Sequence, residues 1–195
     1  MSVSIIIPTR NGSETLGELL AGLTIQSIQP DEILVVDSNS EDDTVKIAEN
    51  YGAIVKNIEF SSFDHGGTRS LAARWAKGDI LVFLTQDVLP ASRTMLENLI
   101  APIRESGEVC LSYGRQLPSF KATEIAAHLR NFNYPAESQL KSYSDRENLG
   151  FQTVFVSNSC AAYRRASLAE IDYFEADLIF GEDSCAAGKL LAKGG

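Results

Sequence analysis

The chain has 195 residues, 44% of them apolar and 22% charged, with a formal net charge of −9. One globular domain fits that length, and the composition excludes collagen-like and low-complexity chains. The negative balance argues against a surface that tracks nucleic-acid phosphates and leaves membrane-surface docking open, since that needs only a local patch.

Residues 3–8 form a nearly continuous run rich in Ile and Val, as expected of a strand buried on both faces of a parallel sheet. Leu16, Leu19, Leu20 and Leu23 follow at helical spacing, with Asn11 or Ser13 as candidate caps. Residues 33–36 repeat the strand pattern. Ser40, followed by Glu41, Asp42 and Asp43, predicts a helix start with acids in its first turn. A short strand is expected at 54–58, a helix at 67–76 stopped by Gly78, and a third buried strand at 80–84.

Met95, Leu96, Leu99, Ile100 and Ile103 give another helical stripe, and residues 109–116 read as a strand. Residues 117–150 are more polar and less periodic, with a helix near 123–131; they read as an insertion or mobile segment over the site. Residues 154–164 read as a strand or strand pair, and 183–193 as a helix. The alternation predicts an α/β fold with a mostly parallel central sheet flanked by helices. Neither an internal repeat nor a linker-like stretch interrupts it.

No apolar run approaches the roughly 20 residues of a membrane span, and the start of the chain lacks the basic region of a secretory signal. Cys110, Cys160 and Cys185 match no zinc or disulfide spacing, so a reducing compartment and packing roles are expected. Trp75 is expected in the core, Arg164-Arg165 as a solvated pair, and His128 carries no assigned role.

Parallel sheets bind ligands at the carboxyl ends of their strands. Each predicted strand end here is polar: Pro8-Thr9-Arg10-Asn11-Gly12, Asp37-Ser38-Asn39, Asp64-His65-Gly66-Gly67-Thr68-Arg69 and Thr85-Gln86-Asp87. Four such ends on one rim suggest a crevice for a polar ligand. GxGxxG and GxxxxGK[ST] are both absent, which removes the dinucleotide and P-loop readings.

The blocks from Ser4 to Gly12 and from Glu32 to Thr44, then Gly78 to Asp87 and Gly181-Glu182-Asp183, resemble the family 2 glycosyltransferases in order and spacing. Thr85-Gln86-Asp87 and the Asp64–Arg69 stretch resemble the rhamnosyltransferase branch. The resemblance implies a single GT-A-type nucleotide-diphospho-sugar transferase domain over 1–195. Its nucleotide-sugar donor half would be 1–90, and its acceptor-side half, 91–195, would be incomplete at the C-terminus. The implied activity is inverting transfer of a sugar from a nucleoside-diphosphate donor, dTDP-rhamnose or a UDP-sugar, to a glycan or lipid-linked acceptor in surface polysaccharide synthesis. The implied place is the cytoplasm, at the inner face of the cell membrane, and the isolated chain is expected to bind donor but turn over poorly.

The same resemblance distributes roles. Asp37 matches the acid that contacts ribose or base, with capping of its own turn as the competing role; Ser38 stands beside it, and Pro8, Thr9 and Arg10 would line the base pocket. Asp87 matches the second acid of the DxD metal motif, whose hard oxygens suit Mg²⁺ or Mn²⁺. Thr85 replaces the first acid, which lowers the charge offered to a cation. Thr85 or Gln86 would bind a metal water or the sugar. His65 and Arg69, at a glycine-rich loop entering a helix, would meet the diphosphate or donor sugar. Asp183 matches the catalytic base, with Glu182 contacting the acceptor or serving structure. Two rivals are a non-catalytic sugar-nucleotide binding module and a sugar-1-phosphate nucleotidyltransferase; the latter wants a Gly-rich basic loop after strand one, which is absent.

Overall fold

The computed structural model describes residues 1–118 and 122–194. A six-stranded sheet runs in the order β3-β2-β1-β4-β6-β5. Its strands are β1 (Val3–Thr9), β2 (Glu32–Asp37), β3 (Ile54–Asn57), β4 (Ile80–Leu84), β5 (Leu111–Tyr113) and β6 (Cys160–Arg164). β3, β2, β1 and β4 are mutually parallel, whereas β6 lies antiparallel to both β4 and β5.

The period-2 alternation of the strands sorts their side chains onto two helical layers. Ile5, Ile7, Val35, Val82 and Leu84 face α1 (Leu16–Thr24), α2 (Thr44–Asn50) and α4 (Met95–Glu105). Ile6, Leu34, Val36, Leu81, Phe83 and Tyr163 face α3 (His65–Trp75), α7 (Arg165–Glu170) and α8 (Glu182–Ala192). Both faces of the sheet are therefore covered, which is why its central strands read as unbroken apolar runs. Gly66 brings α3 against the chain before α8, because a Cβ there would strike the backbone oxygen of Glu175.

Five expectations need correction. α2 begins at Thr44, not Ser40: the Ser40 amide and hydroxyl are both bonded to the Asp37 carboxylate, which holds residues 40–43 in a loop. The strand expected at 109–116 is only Leu111–Tyr113, and in 154–164 only Cys160–Arg164 pairs. Trp75 is 37% exposed at the end of α3, where the small Ala72, Ala73 and Ala76 take the core positions. Arg164 is not solvated: one guanidinium nitrogen donates to the carbonyls of Ile103, Ser106 and Val109 at 2.6, 2.7 and 3.3 Å, closing the C-terminal end of α4.

In the polar stretch, α5 (Glu124–Asn133) starts where Thr123 Oγ1 accepts the Ala126 amide at 3.3 Å, and the four-residue α6 spans Arg146–Leu149. Ser119, Phe120 and Lys121, part of the predicted insertion, lie outside the described residues. No helix among the described residues is long and apolar enough to cross a membrane.

Candidate active site

Parallel pairing brings the carboxyl ends of β1, β2 and β4 to one edge, with Thr9 in register with Asp37. Because β6 is antiparallel, it is the start of β6 that reaches this edge: Leu84 pairs with Cys160, and the Thr85 amide donates to Ser159 O at 3.3 Å.

At the β1–β2 end, Asp37 is 1% exposed and organises both loops. Its Oδ1 accepts from Thr9 Oγ1 at 2.9 Å and Ser40 Oγ at 2.6 Å, and its Oδ2 accepts from the Ser40 amide at 2.8 Å. The capping role weighed against ligand binding is thus present; a carboxylate has about four acceptor sites, which leaves one for a ligand. Further bonds tie the β1 loop to the β2 loop. The Asn11 amide donates to Ser40 Oγ, the Gly12 amide to Thr44 Oγ1 and the Ser13 amide to Asp42, while Asn11 Oδ1 accepts the Glu41 amide. Asn11 and Asn39 hold φ of 45° and 61°, a region in which Asn is tolerated better than most residues. Arg10 donates to Ser38 O at 2.7 Å and lays its guanidinium 3.6 Å from the Phe60 ring centroid. Phe60 was not singled out from sequence, and nothing in its local pattern marks it. Ser38 Oγ is buried without a partner.

At the β4 end, Asp87 is exposed, and Thr85 and Gln86 are half-buried. The Gln86 amide faces the neighbouring loop: its Oε1 accepts the Arg10 amide at 2.9 Å, and its Nε2 donates to Arg10 O at 3.2 Å. No group of three His, Cys, Asp or Glu side chains able to hold a metal stands among the described residues. A single exposed carboxylate suits a cation that takes most of its ligands from phosphate and water, as Mg²⁺ sites do.

The third part lies where α8 meets the start of β6. The Asn158 amide donates to Asp183 Oδ2 at 3.3 Å, the Ser184 amide donates to Asp183 Oδ1 at 2.7 Å, and Asn158 Nδ2 donates to Glu182 Oε1 at 3.2 Å. Tyr163 fixes the Asn158 side chain through a 2.9 Å bond to its Oδ1. Burial first, and then the Glu182 carboxylate, push the Asp183 carboxyl above the ordinary aspartate value. The two amides and Arg69 act in the opposite sense. Asp183 is half-buried and retains acceptor capacity; Glu182 is 6% exposed.

Arg69 is also buried, with its Nη1 3.4 Å from Glu182 and bonded to His65 O at 3.0 Å, while its Nε is buried without a partner. His65 is exposed, edge-on to Phe63 at 5.2 Å between centroids. Pro8, half-buried, leads into the tied β1 loop. Asn158 and Tyr163 were missed because they belong to no motif and become partners of Glu182-Asp183 only through the antiparallel entry of β6. Tyr134, buried beside Tyr113 and Phe155, was missed likewise. Burial raises its phenol, and the Asp183 charge adds in the same sense.

The sequence model of "Glycosyl transferase family 2" matches residues 4–172. The chain belongs to glycosyl transferase family 2. Within the family it is 41% identical over 198 residues to the O-antigen chain rhamnosyltransferase RfbN of Salmonella typhimurium, covering all of this chain and 62% of that protein. It is 39% identical over 195 residues to the O-antigen chain rhamnosyltransferase WbaN of Salmonella anatum, covering 99% and 62%. The chain thus spans about 62% of the length of these relatives. Staphylococcus aureus TarS 1–349, solved in complex with UDP-GlcNAc, superposes with a TM-score of 0.70 at 26% identity, covering 98% of this chain and 53% of that one. The six-stranded sheet with helices on both faces is accordingly the GT-A glycosyltransferase fold.

Proposed function

We propose that this chain carries the donor site and the catalytic base of an inverting glycosyltransferase of surface polysaccharide synthesis. The observation that carries this reading is the position of Asp183. Its carboxyl is raised by burial and by Glu182, and Asn158 holds it at the sheet edge where the Thr85 amide meets Ser159 O.

A general base is most effective when its pKa rises toward the working pH. Asp183 is assigned the acceptor hydroxyl: its carboxylate takes the proton as the hydroxyl oxygen bonds to the anomeric carbon, and the bond from that carbon to the diphosphate oxygen breaks on the opposite face. Glu182 and Arg69 act from within, holding α8 and setting the charge beside Asp183. Asp37 and the tied loop of Thr9, Arg10 and Ser38 receive the nucleoside. Asp87 is the residue that would hold Mg²⁺ or Mn²⁺, and the cation would supply charge to stabilise the departing diphosphate. His65 and Thr85 are assigned to the donor sugar. Residues 1–90 serve the donor and 91–195 the acceptor.

The likeness to two rhamnosyltransferases supports dTDP-rhamnose as donor, and the UDP-GlcNAc complex of TarS supports a UDP-sugar as the alternative. The acceptor is a glycan or lipid-linked glycan, and the reaction belongs at the cytoplasmic face of the membrane by the same likeness.

Calorimetric titration of the chain with dTDP, UDP and GDP, with and without Mn²⁺, tests the donor site. One nucleotide is expected to bind in a cation-dependent manner, and Asp87→Ala to lose that dependence. Asp183→Asn should bind the same nucleotide unchanged while losing sugar transfer. A folded chain that binds none of the three nucleotides overturns the reading.

A further inference from the structure

The residue pattern Thr-Gln-Asp stands where the family resemblance places a metal motif, and two of its three residues carry no charge. The geometry of the middle one explains its presence. Gln86 leaves the end of β4 and meets the peptide of Arg10 with both ends of its amide, Oε1 on the N–H at 2.9 Å and Nε2 on the carbonyl at 3.2 Å. This is the pairing one strand makes with its neighbour, supplied by a side chain just past the point where β1 and β4 stop pairing, since their register ends at Ile6 with Phe83. Gly12 leaves room for it: a Cβ there would stand 2.6 Å from Gln86 Oε1 and 2.7 Å from Gln86 Cδ.

What Gln86 holds is the residue with the most constraints in the β1 loop. The guanidinium of Arg10 is fixed at its other end by Ser38 O and by the Phe60 ring. Peptide and guanidinium are thus anchored to three different segments, after β4, β2 and β3. Thr9, the preceding residue, donates to Asp37. Releasing the Arg10 peptide frees the wall on which the nucleoside is assigned to rest, and both the oxygen and the nitrogen of the Gln86 amide are turned to that peptide.

We propose that Gln86 is a positioning residue of the nucleoside pocket and not a ligand of the cation or diphosphate. This rests on the donor-site reading above. It means that the Thr-Gln-Asp segment divides its labour: Asp87 serves the phosphate end, and Gln86 preorganises the base end by fixing the Arg10 loop before the nucleotide arrives, which lowers the ordering cost of binding.

The test separates the two ends of the ligand. The chain and its variants are titrated with dTMP and UMP in EDTA, which report the nucleoside end without cation, and with dTDP and UDP in Mn²⁺. Gln86→Ala should weaken monophosphate and diphosphate by the same factor, about tenfold for two net hydrogen bonds. Gln86→Glu has the same length and keeps the acceptor for the Arg10 amide, but sets an oxygen against the Arg10 carbonyl, so it too should weaken both. Asp87→Ala should leave the monophosphate unchanged.

If Gln86 served the cation, Gln86→Ala would spare the monophosphate, and Gln86→Glu, by adding a carboxylate, would tighten the diphosphate in Mn²⁺. Either result overturns the proposal, as does unchanged affinity for both ligands in both variants. Circular dichroism of Gln86→Glu, the less disruptive change, establishes that the effect is read on a folded chain. Absence of nucleotide binding by the wild-type chain overturns the donor-site reading itself and this proposal with it. Binding by the wild type with unaltered Gln86 variants overturns this proposal alone.

Discussion

Arg69 lies 3.4 Å from Glu182, and each side chain is only 7% exposed. The residue next to the assigned base is therefore fixed by an ion pair inside the protein, between a helix that follows β3 and one that follows β6. Removing one member of such a pair strands a charge, whereas removing both need not cost stability. Arg69→Met should lower stability by about 3 kcal/mol or more. The double variant Arg69→Met with Glu182→Leu should recover most of that loss. Urea denaturation of the three chains checks this; equal losses in single and double variants would contradict it.

Asp183 gives a pH dependence with a definite sign. Its carboxyl titrates above the ordinary aspartate value, and only the ionised form accepts a proton, so kcat/KM should rise with pH through that raised value. Glu182→Gln removes the neighbouring charge and should move the midpoint down. The same shift bears on folding. A carboxyl that binds its proton more tightly in the folded chain supports stability fully below its unfolded pKa and loses that support as pH rises through the folded value. Asp183→Asn should therefore be more stable than the wild type at neutral pH, with the gain disappearing toward acid. Thermal unfolding across pH measures it.

Gly12 offers an independent approach to the loop that Gln86 holds. The Cβ of Gly12→Ala would crowd the Gln86 amide and push it off the Arg10 peptide, so the variant should weaken dTMP or UMP binding by about the same factor as Gln86→Ala. The two changes should not add, because each breaks the same pair of bonds. Additive losses in a double-variant titration would show that Gly12 acts through another contact.

Arg164 is expected to matter for stability and not for catalysis. Its guanidinium caps the carbonyls that close α4, a favourable place for a cation at a helix C-terminus. Arg164→Met should cost about 2 kcal/mol through the lost charge-assisted bonds. Nucleotide affinity should not change. A titration and a melting curve on the same variant check both parts.

Much of the frame was legible in the residues. Ile80–Leu84 forms as expected because both its faces are buried, so its apolar run has sharp limits. Leu16, Leu19, Leu20 and Leu23 form the buried stripe of α1 for the same reason. The failures arise where a polar side chain finds a partner that its own short motif does not announce, near in the chain for Ser40 and far for the others. Ser40 looks like a helix cap locally, but its donors find Asp37, which comes before it in the chain. Arg69 looks like a free cation at a helix start, and Gln86 like part of a metal motif. Each has its partner far off in sequence, Glu182 for one and Arg10 for the other. Local pattern gives the element; long-range hydrogen bonding decides which polar side chains remain free for a ligand. Asn158 carries no local mark because its importance arises from its place at the edge where β6 enters the sheet.

That point of entry has a further consequence. The Gly114 amide donates to Cys160 O at 2.8 Å, so the chain leaves the sheet after β5 and returns at β6 side by side. Everything between is a cassette with its base already closed, and closing a longer or shorter loop changes the entropy by only about 0.6 kcal/mol per doubling of length. Its last residues, Asn158 and Ser159, deliver it to Asp183 and Thr85. This segment is free to be exchanged or resized without re-threading a single strand, while Asp183 stays where the sheet edge puts it.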